Sequence, residues 1–297
     1  MSQAMDDLRG SLVALVTPMT ASGAIDWAAL DGLVDWHLES GTHGIVPVGT
    51  TGESATLTHA EQKQVIETVV RRVNGRVPVV AGTGANATAE AIEFTRAAQG
   101  DGADYCLSVT PYYNKPTQEG LYRHYCAIAE AVDLPMVLYN VPPRTACDMQ
   151  AATVARLSAV DSIVGIKEAC GDPSRVAEIK ALVPDDFVLL SGEDAQTLTM
   201  AGYGAVGAIS VTANVLPAAM AEFCQAFIDG NDDKARALDA KLQPIHEALF
   251  METSPIPTKW ALNAMGKIDV DIRLPLVELT EPVQVELRKR LEILGAL

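Results

Sequence analysis

Ser162-Ile163-Val164-Gly165-Ile166-Lys167-Glu168-Ala169 is a short apolar run that delivers a single lysine, and the helix-type stretch Ser174 to Leu182 follows it. A strand of such residues ends in the interior of a barrel or sheet. An ammonium left there loses hydration, and desolvation disfavours the charged form. The pKa of Lys167 is therefore expected to fall from the reference of about 10.4 toward the range where a free amine persists. A free amine attacks carbonyls. Side chains alternate along a strand, so with Lys167 facing inward Ile166 and Glu168 face away, and Glu168 does not pair with the lysine and quench it. A lysine at a strand end ordinarily snorkels to water, so the rest of the chain decides between the two readings.

Outward from this unit, β-type runs alternate with helix-type stretches in both directions. Upstream, Leu12 to Val16 precedes Trp27 to Glu39, and Ile45 to Val48 precedes Thr58 to Val73, which opens on the capping-box pattern Thr58-His59-Ala60-Glu61. Val77 to Ala81 pairs with Thr88 to Ala98, Tyr105 to Val109 with Glu119 to Val132, and Met136 to Tyr139 with Ala151 to Ser158. Downstream, Phe187 to Leu190 precedes Ala195 to Ala201, and Ala205 to Ser210 precedes Leu216 to Ile228. Eight βα units in about 220 residues match a parallel (βα)8 TIM barrel. A doubly wound sheet usually shows a glycine-rich phosphate loop after its first strand, whereas this first run ends in Thr17-Pro18-Met19. Pro47 lies inside the second run and disfavours a central strand, so a bulge or an unpaired amide is expected there.

After Asp229 the alternation stops. Lys234 to Leu249, Pro257 to Met265 and Val283 to Leu294 read as three helices. The expected division is a catalytic barrel over residues 1–229 and a small helical C-terminal domain over 230–297.

The 297 residues, 48% hydrophobic and 20% charged, carry a net charge of -16. That acidity speaks against nucleic acid as a partner, and an anionic substrate would have to be drawn by a few cations placed in the pocket. No stretch approaches a membrane span, and Met1 to Gly10 has no apolar core of a signal peptide. Five cysteines, odd in number and without a CxxC pair, point to neither disulfides nor zinc, and hence to a reducing, cytoplasmic setting.

In such a barrel the chemistry collects at the C-terminal strand ends. There the chain places Gly49-Thr50-Thr51-Gly52-Glu53, Gly82-Thr83-Gly84, Thr110-Pro111-Tyr112-Tyr113, Tyr139-Asn140-Val141-Pro142-Pro143-Arg144-Thr145, Lys167 and Ser191-Gly192-Glu193-Asp194. Glycines flanking two threonines free backbone N–H groups and hydroxyls for an anion, making a carboxylate nest. Six of the seven tyrosines fall between Tyr105 and Tyr139. Tyr105, Tyr122 and Tyr125 read as packing, whereas Tyr113 and Tyr139 at strand ends suit a hydroxyl relay. His37, His43, His124 and His246 show no partner pattern and read as structural or exposed.

These motifs together resemble the pyruvate-dependent class I aldolase superfamily of dihydrodipicolinate synthase and N-acetylneuraminate lyase, nearly end to end. The resemblance implies that Lys167 forms a Schiff base with pyruvate and that the pyruvate carboxylate rests on Thr50 and Thr51. Tyr139 would act as acid and base, linked through Thr50 to a Tyr113 supplied by a neighbouring subunit. Gly192 and Ile209 would complete the substrate site, Arg144 would hold the carboxylate of L-aspartate 4-semialdehyde, and no metal or organic cofactor is implied. The synthase branch of the family opens the diaminopimelate route to lysine. It implies a homotetramer, a dimer of dimers, with feedback by lysine at Ser54, Ala55, His59, Asn86, Glu90 and Tyr112. Two positions depart from the pattern: Gln62 replaces the usual histidine or basic residue, so feedback is expected to be weak, and Ala146 replaces a glycine. The alternatives are an N-acetylneuraminate lyase or 2-keto-3-deoxy sugar acid aldolase, which generally lack the arginine, and a non-catalytic lysine sensor, which would have a broken relay.

Overall fold

The computed structural model describes residues 6–297; Met1–Met5, where the reading of the N-terminus begins, lie outside the described residues. Eight strands, β1 (Gly10–Ala14), β2 (Gly44–Val46), β3 (Val80–Gly82), β4 (Tyr105–Val109), β5 (Met136–Asn140), β6 (Ile163–Glu168), β7 (Val188–Ser191) and β8 (Gly207–Ser210), form one sheet in the order β2-β1-β8-β7-β6-β5-β4-β3. Every pairing within it is parallel. A helix follows each strand: α1 (Trp27–Glu39), α2 (His59–Val73), α3 (Thr88–Gly100), α4 (Gln118–Ala131), α5 (Ala151–Leu157), α6 (Ser174–Lys180), α7 (Thr197–Gly202) and α8 (Pro217–Ile228). The fold is the TIM barrel that the alternation predicts.

The strands are apolar on both faces, and this is why they read as unbroken runs. Leu12, Val46, Val80, Leu107, Val137, Val188 and Ile209 fill the barrel interior. Their neighbours Val13, Ile45, Ala81, Cys106, Leu138, Ile166 and Leu189 face outward into the larger core under the helices. The capping box of α2 forms as read, with the Glu61 amide donating to Thr58 Oγ1 at 3.2 Å and the Thr58 amide to Glu61 Oε2 at 2.8 Å.

The second strand is shorter than its apolar run. It stops at Val46, because Pro47 has no N–H to continue a ladder and Val48 turns into the left-handed region at φ 58. Pro78 removes a second donor across the same junction, so β2 and β3 meet only through an isolated bridge, Ile45 to Val79. Two backbone bonds flank it, the Ile45 amide to Pro78 O at 3.0 Å and the Gly82 amide to Pro47 O at 2.9 Å. Approach is so close here that a Cβ on Gly82 would lie 2.1 Å from Val48 O; only glycine fits.

Beyond the barrel come α9 (Asp232–Ala248), α10 (Ile256–Ala264) and α11 (Glu281–Ile293). Leu242, Ile245, Trp260, Leu262, Leu287 and Leu291 from these helices are buried in the same outer core as the barrel helices.

Candidate active site

Register places the two central side chains. On β5 and β6, Tyr139 is paired with Lys167 and Asn140 with Glu168. The alternation turns the first pair into the barrel and the second out of it. An irregularity at the start of β6, between the pairs Met136–Ile163 and Val137–Gly165, sets that phase: Ile163 and Ile166 both face outward. Lys167 is 5% exposed, and its Nζ lies 4.3 Å from the centroid of the Tyr139 ring. The contact is with an aromatic face. Gly192, at the end of β7, leaves room for the lysine stem, since a Cβ there would sit 2.9 Å from Lys167 Cε and 2.7 Å from Ala169 Cβ. Ile209 closes the interior below.

The outward pair forms a buried polar cluster. Asn140 Nδ2 donates to Glu168 Oε1 at 3.0 Å and to Asp148 Oδ1 at 2.9 Å, and Asn140 Oδ1 accepts from the Met149 amide at 2.9 Å. Arg175 grips Asp148 with two bonds of 3.1 Å. Burial pushes the Glu168 carboxyl up to about 7, with Asn140, Cys170 and Arg175 pulling the other way. Glu193, half-buried beyond Gly192, is also raised by burial, while the charges of Lys167 and Arg144 lower it.

The loop after β2 is a chain of tight turns. The Gly52 and Ser54 amides donate to Gly49 O at 3.1 and 3.3 Å, and the Glu53 amide donates to Thr50 O at 3.1 Å. Among the described residues the Thr50 and Thr51 amides have no backbone acceptor. Two adjacent free donors suit an anion.

From Thr50 a cleft of about 370 Å³ runs outward, lined also by Arg144, Val141 and Thr145 at one end and by Ser54, Ala55, His59, Gln62, Glu90 and Tyr112 at the other. His59 Nε2 is 3.0 Å from Glu90 Oε1, and Asn86 stands at the rim, donating to Tyr112 O at 3.2 Å. Gln62 lines the cleft too, and its Nε2 donates to Ser54 O at 3.0 Å and so fastens the cleft wall. Arg144 rides on a helical turn, Pro142–Thr145, with Nη2 3.4 Å from Ser254 O. That turn ends on Ala146 in the left-handed region, φ 54, a conformation in which a glycine is unstrained.

The structure thus brings Tyr139, Lys167, Gly192 and Ile209 together inside the barrel, and Thr50 and Arg144 onto one cleft shared with most of the expected lysine-site residues. Tyr113 is not brought to them within one chain: it is 90% exposed, on a loop at φ 75. The four unassigned histidines are held locally, His37 by Thr42, His124 by Thr88, His246 by Thr212 and His43 by Ser11 and Gln225. Tyr105 and Tyr125 are packed, donating to Asp7 and to Ser108 O. Among the described residues no group of His, Cys, Asp and Glu is arranged to hold a metal ion, and no helix is long and apolar enough to cross a membrane. The sequence reading missed Asp148 and Arg175, which carry no motif, and Lys259, a lone lysine in the apolar helix α10 whose isolation was a usable signal.

A (βα)8 barrel with an amine buried at the C-terminal strand ends against a tyrosine defines the class: a barrel of the class I aldolase kind. Residues 7–294 match the model of the Dihydrodipicolinate synthetase family, and the chain belongs to that family. It is 58% identical over 290 residues to the 4-hydroxy-tetrahydrodipicolinate synthase of Alcanivorax borkumensis, covering 98% of this chain and 99% of the relative. Among solved structures it superposes on the chloride-inhibited dihydrodipicolinate synthase of Acinetobacter baumannii complexed with pyruvate, with a TM-score of 0.96 and 50% identity, covering 97% of this chain and 99% of that one. The enzyme of Cyanidioschyzon merolae with lysine bound gives 0.95 and 38%, again over 97% and 99%.

Proposed function

We propose that the protein catalyses the 4-hydroxy-tetrahydrodipicolinate synthase reaction, joining pyruvate to L-aspartate 4-semialdehyde through an imine on Lys167. The observation that carries this reading is the buried Lys167 amine, 4.3 Å from the Tyr139 ring centroid inside a barrel of this family. Lys167 Nζ adds to C2 of pyruvate, a C–N bond forms, and the carbonyl oxygen leaves as water after Tyr139 supplies a proton. Loss of a methyl proton to the same phenol gives the enamine. The enamine carbon bonds to the aldehyde carbon, whose oxygen takes up the proton. The amino group of the second substrate then displaces the lysine nitrogen at C2, closing the ring and freeing Lys167. The imine itself is the electron sink, so the chemistry calls for no metal or organic cofactor.

Recognition divides along the cleft. The free amides of Thr50 and Thr51 suit the pyruvate carboxylate, and the Arg144 guanidinium suits the carboxylate of the semialdehyde by a charge-assisted fork. Tyr113, exposed on one chain, is assigned to the site of a partner chain in a dimer that pairs again into a tetramer. L-Lysine is the regulator assigned to the outer cleft, where Glu90 and Asn86 face its ammonium groups and Tyr112 its carboxylate. Five free cysteines fit a cytoplasmic setting.

Borohydride added with pyruvate should reduce the imine and leave a mass increment on the peptide containing Lys167, and Lys167→Ala should leave none. An adduct that survives in Lys167→Ala overturns the assignment of the nucleophile. Cleavage of N-acetylneuraminate faster than condensation with the semialdehyde would replace the proposed substrate pair, and a rate unmoved by millimolar lysine would remove the regulator.

A further inference from the structure

The loop that carries Thr50 and Thr51 is fastened from a distance. Glu53, at the end of the Thr50 turn, is held in the left-handed region at φ 57, and its carboxylate meets the C-terminal segment of the chain. There Glu53 Oε2 meets Lys259 Nζ of α10 at 2.7 Å, both side chains 1% exposed, and Glu53 Oε1 accepts from the Arg273 amide at 3.3 Å. The Arg273 guanidinium continues the fastening, donating to Thr56 O at 2.8 Å, to Gly23 O at 2.9 Å and to both oxygens of Glu61. Thr17 Oγ1 holds Gly52 O at 2.7 Å and Gln62 holds Ser54 O. The carbonyls of residues 52, 54 and 56 are each engaged by a side chain from outside the loop, while the Thr50 and Thr51 amides have no backbone acceptor.

A buried ion pair is a poor way to gain stability, because the attraction roughly repays the lost hydration of two charges and an apolar pair of the same size often does as well. What an ion pair supplies that an apolar contact does not is direction: a carboxylate accepting from Lys259 and from the Arg273 amide fixes the φ/ψ of Glu53, and with it the preceding turn. We propose that Glu53, Lys259 and Arg273 are positioning residues for pyruvate, the C-terminal helices setting the aim of the Thr50–Thr51 amides at the barrel mouth through the Glu53–Lys259 pair. This rests on the reading of Thr50 and Thr51 as the pyruvate carboxylate site.

The test replaces both charges at once with side chains of similar length, Glu53→Met together with Lys259→Met, and measures the pyruvate concentration for half-maximal borohydride trapping, the KM of each substrate and the melting temperature. The expected result is a melting temperature near the parent's, roughly tenfold weaker pyruvate trapping, and a KM for the second substrate within about twofold. Lys259→Arg, which keeps the charge, should bring trapping back to within about threefold of the parent. Should the double variant not fold, Arg273→Ala, at a half-buried position, is expected to weaken trapping several-fold with the second substrate unaffected. Parent-like pyruvate trapping in a folded double variant or in Arg273→Ala, or equal losses for both substrates, overturns the proposal. A parent protein that traps no pyruvate at all overturns the reading of the site itself, and that measurement comes before any variant.

Discussion

On the β5–β7 flank of the mouth, Tyr139, Lys167 and Gly192 stand on adjacent strands whose ladders fix their relative positions. On the β2 flank, Thr50 and Thr51 sit on a loop whose Glu53 pairs with a lysine 206 positions further along the chain. The first arrangement suits bond making, where a shift of an ångström in the nucleophile costs orders of magnitude in rate. The second suits recognition. A carboxylate is read by donors whose aim the rest of the molecule can set, and the same loop continues into Ser54, which lines the cleft with His59 and Glu90.

The strand flank is most sharply tested through Glu168, the outward partner of the lysine's own strand. Its carboxyl is pushed from an ordinary value of 4.5 up to about 7, so the folded protein favours the protonated form. That contribution is complete below about pH 4.5, is lost as the pH rises through about 7, and is constant above; its size is on the order of 3 kcal/mol. Measured by urea unfolding, the stability of the parent relative to Glu168→Gln should fall across that window and then level off. A difference independent of pH would mean that Arg175 and Asn140 keep the carboxylate ionised throughout.

Gly192→Ala tests the same flank at the Lys167 stem. The added Cβ meets Lys167 Cε at 2.9 Å, and displacement of the amine should lower kcat by roughly 100-fold. Turnover within threefold of the parent would show that the lysine is not held by its strand neighbours. On the loop flank, Arg144→Ala should raise the KM for the semialdehyde by roughly thirtyfold, the worth of a charged hydrogen bond, and that for pyruvate little. Equal rises in initial-rate assays would make Arg144 a brace against Ser254 rather than a ligand. The smallest effect is expected at Ala146→Gly. Relief of the left-handed backbone, about 1 kcal/mol, is partly cancelled by the freer unfolded chain, leaving a slight rise in melting temperature.

The same contrast explains what the sequence discloses. The barrel was legible because its strands are short apolar runs separated by helices with local signals such as the Thr58–Glu61 capping box. Lys167 and Tyr139 were legible because a strand end is a local property. Strand limits were less so: Ile45 to Val48 shrinks to Gly44–Val46 at Pro47, and the run Phe187 to Leu190 becomes Val188–Ser191. Hydrogen bonds to neighbouring strands, rather than hydrophobicity, decide those ends. Tyr113 reads as a strand-end residue, yet the chain has already turned out into solvent there. The Glu53–Lys259 pair was legible on one side only: a lone lysine in an apolar helix calls for a partner, but nothing local says that the partner lies 206 positions away.

The junction of β2 and β3 has a dynamic consequence. Seven sides of the cylinder are zipped by ladders, while the eighth, deprived of donors by Pro47 and Pro78, hangs on a bridge and two amide bonds. Local opening under heat therefore starts at that slit, and the slit lies directly beneath the turn bearing Thr50 and Thr51. On the proposed assignment of Thr50 and Thr51 to the keto acid, warming should therefore raise the concentration needed for saturation at temperatures where turnover itself is still unimpaired.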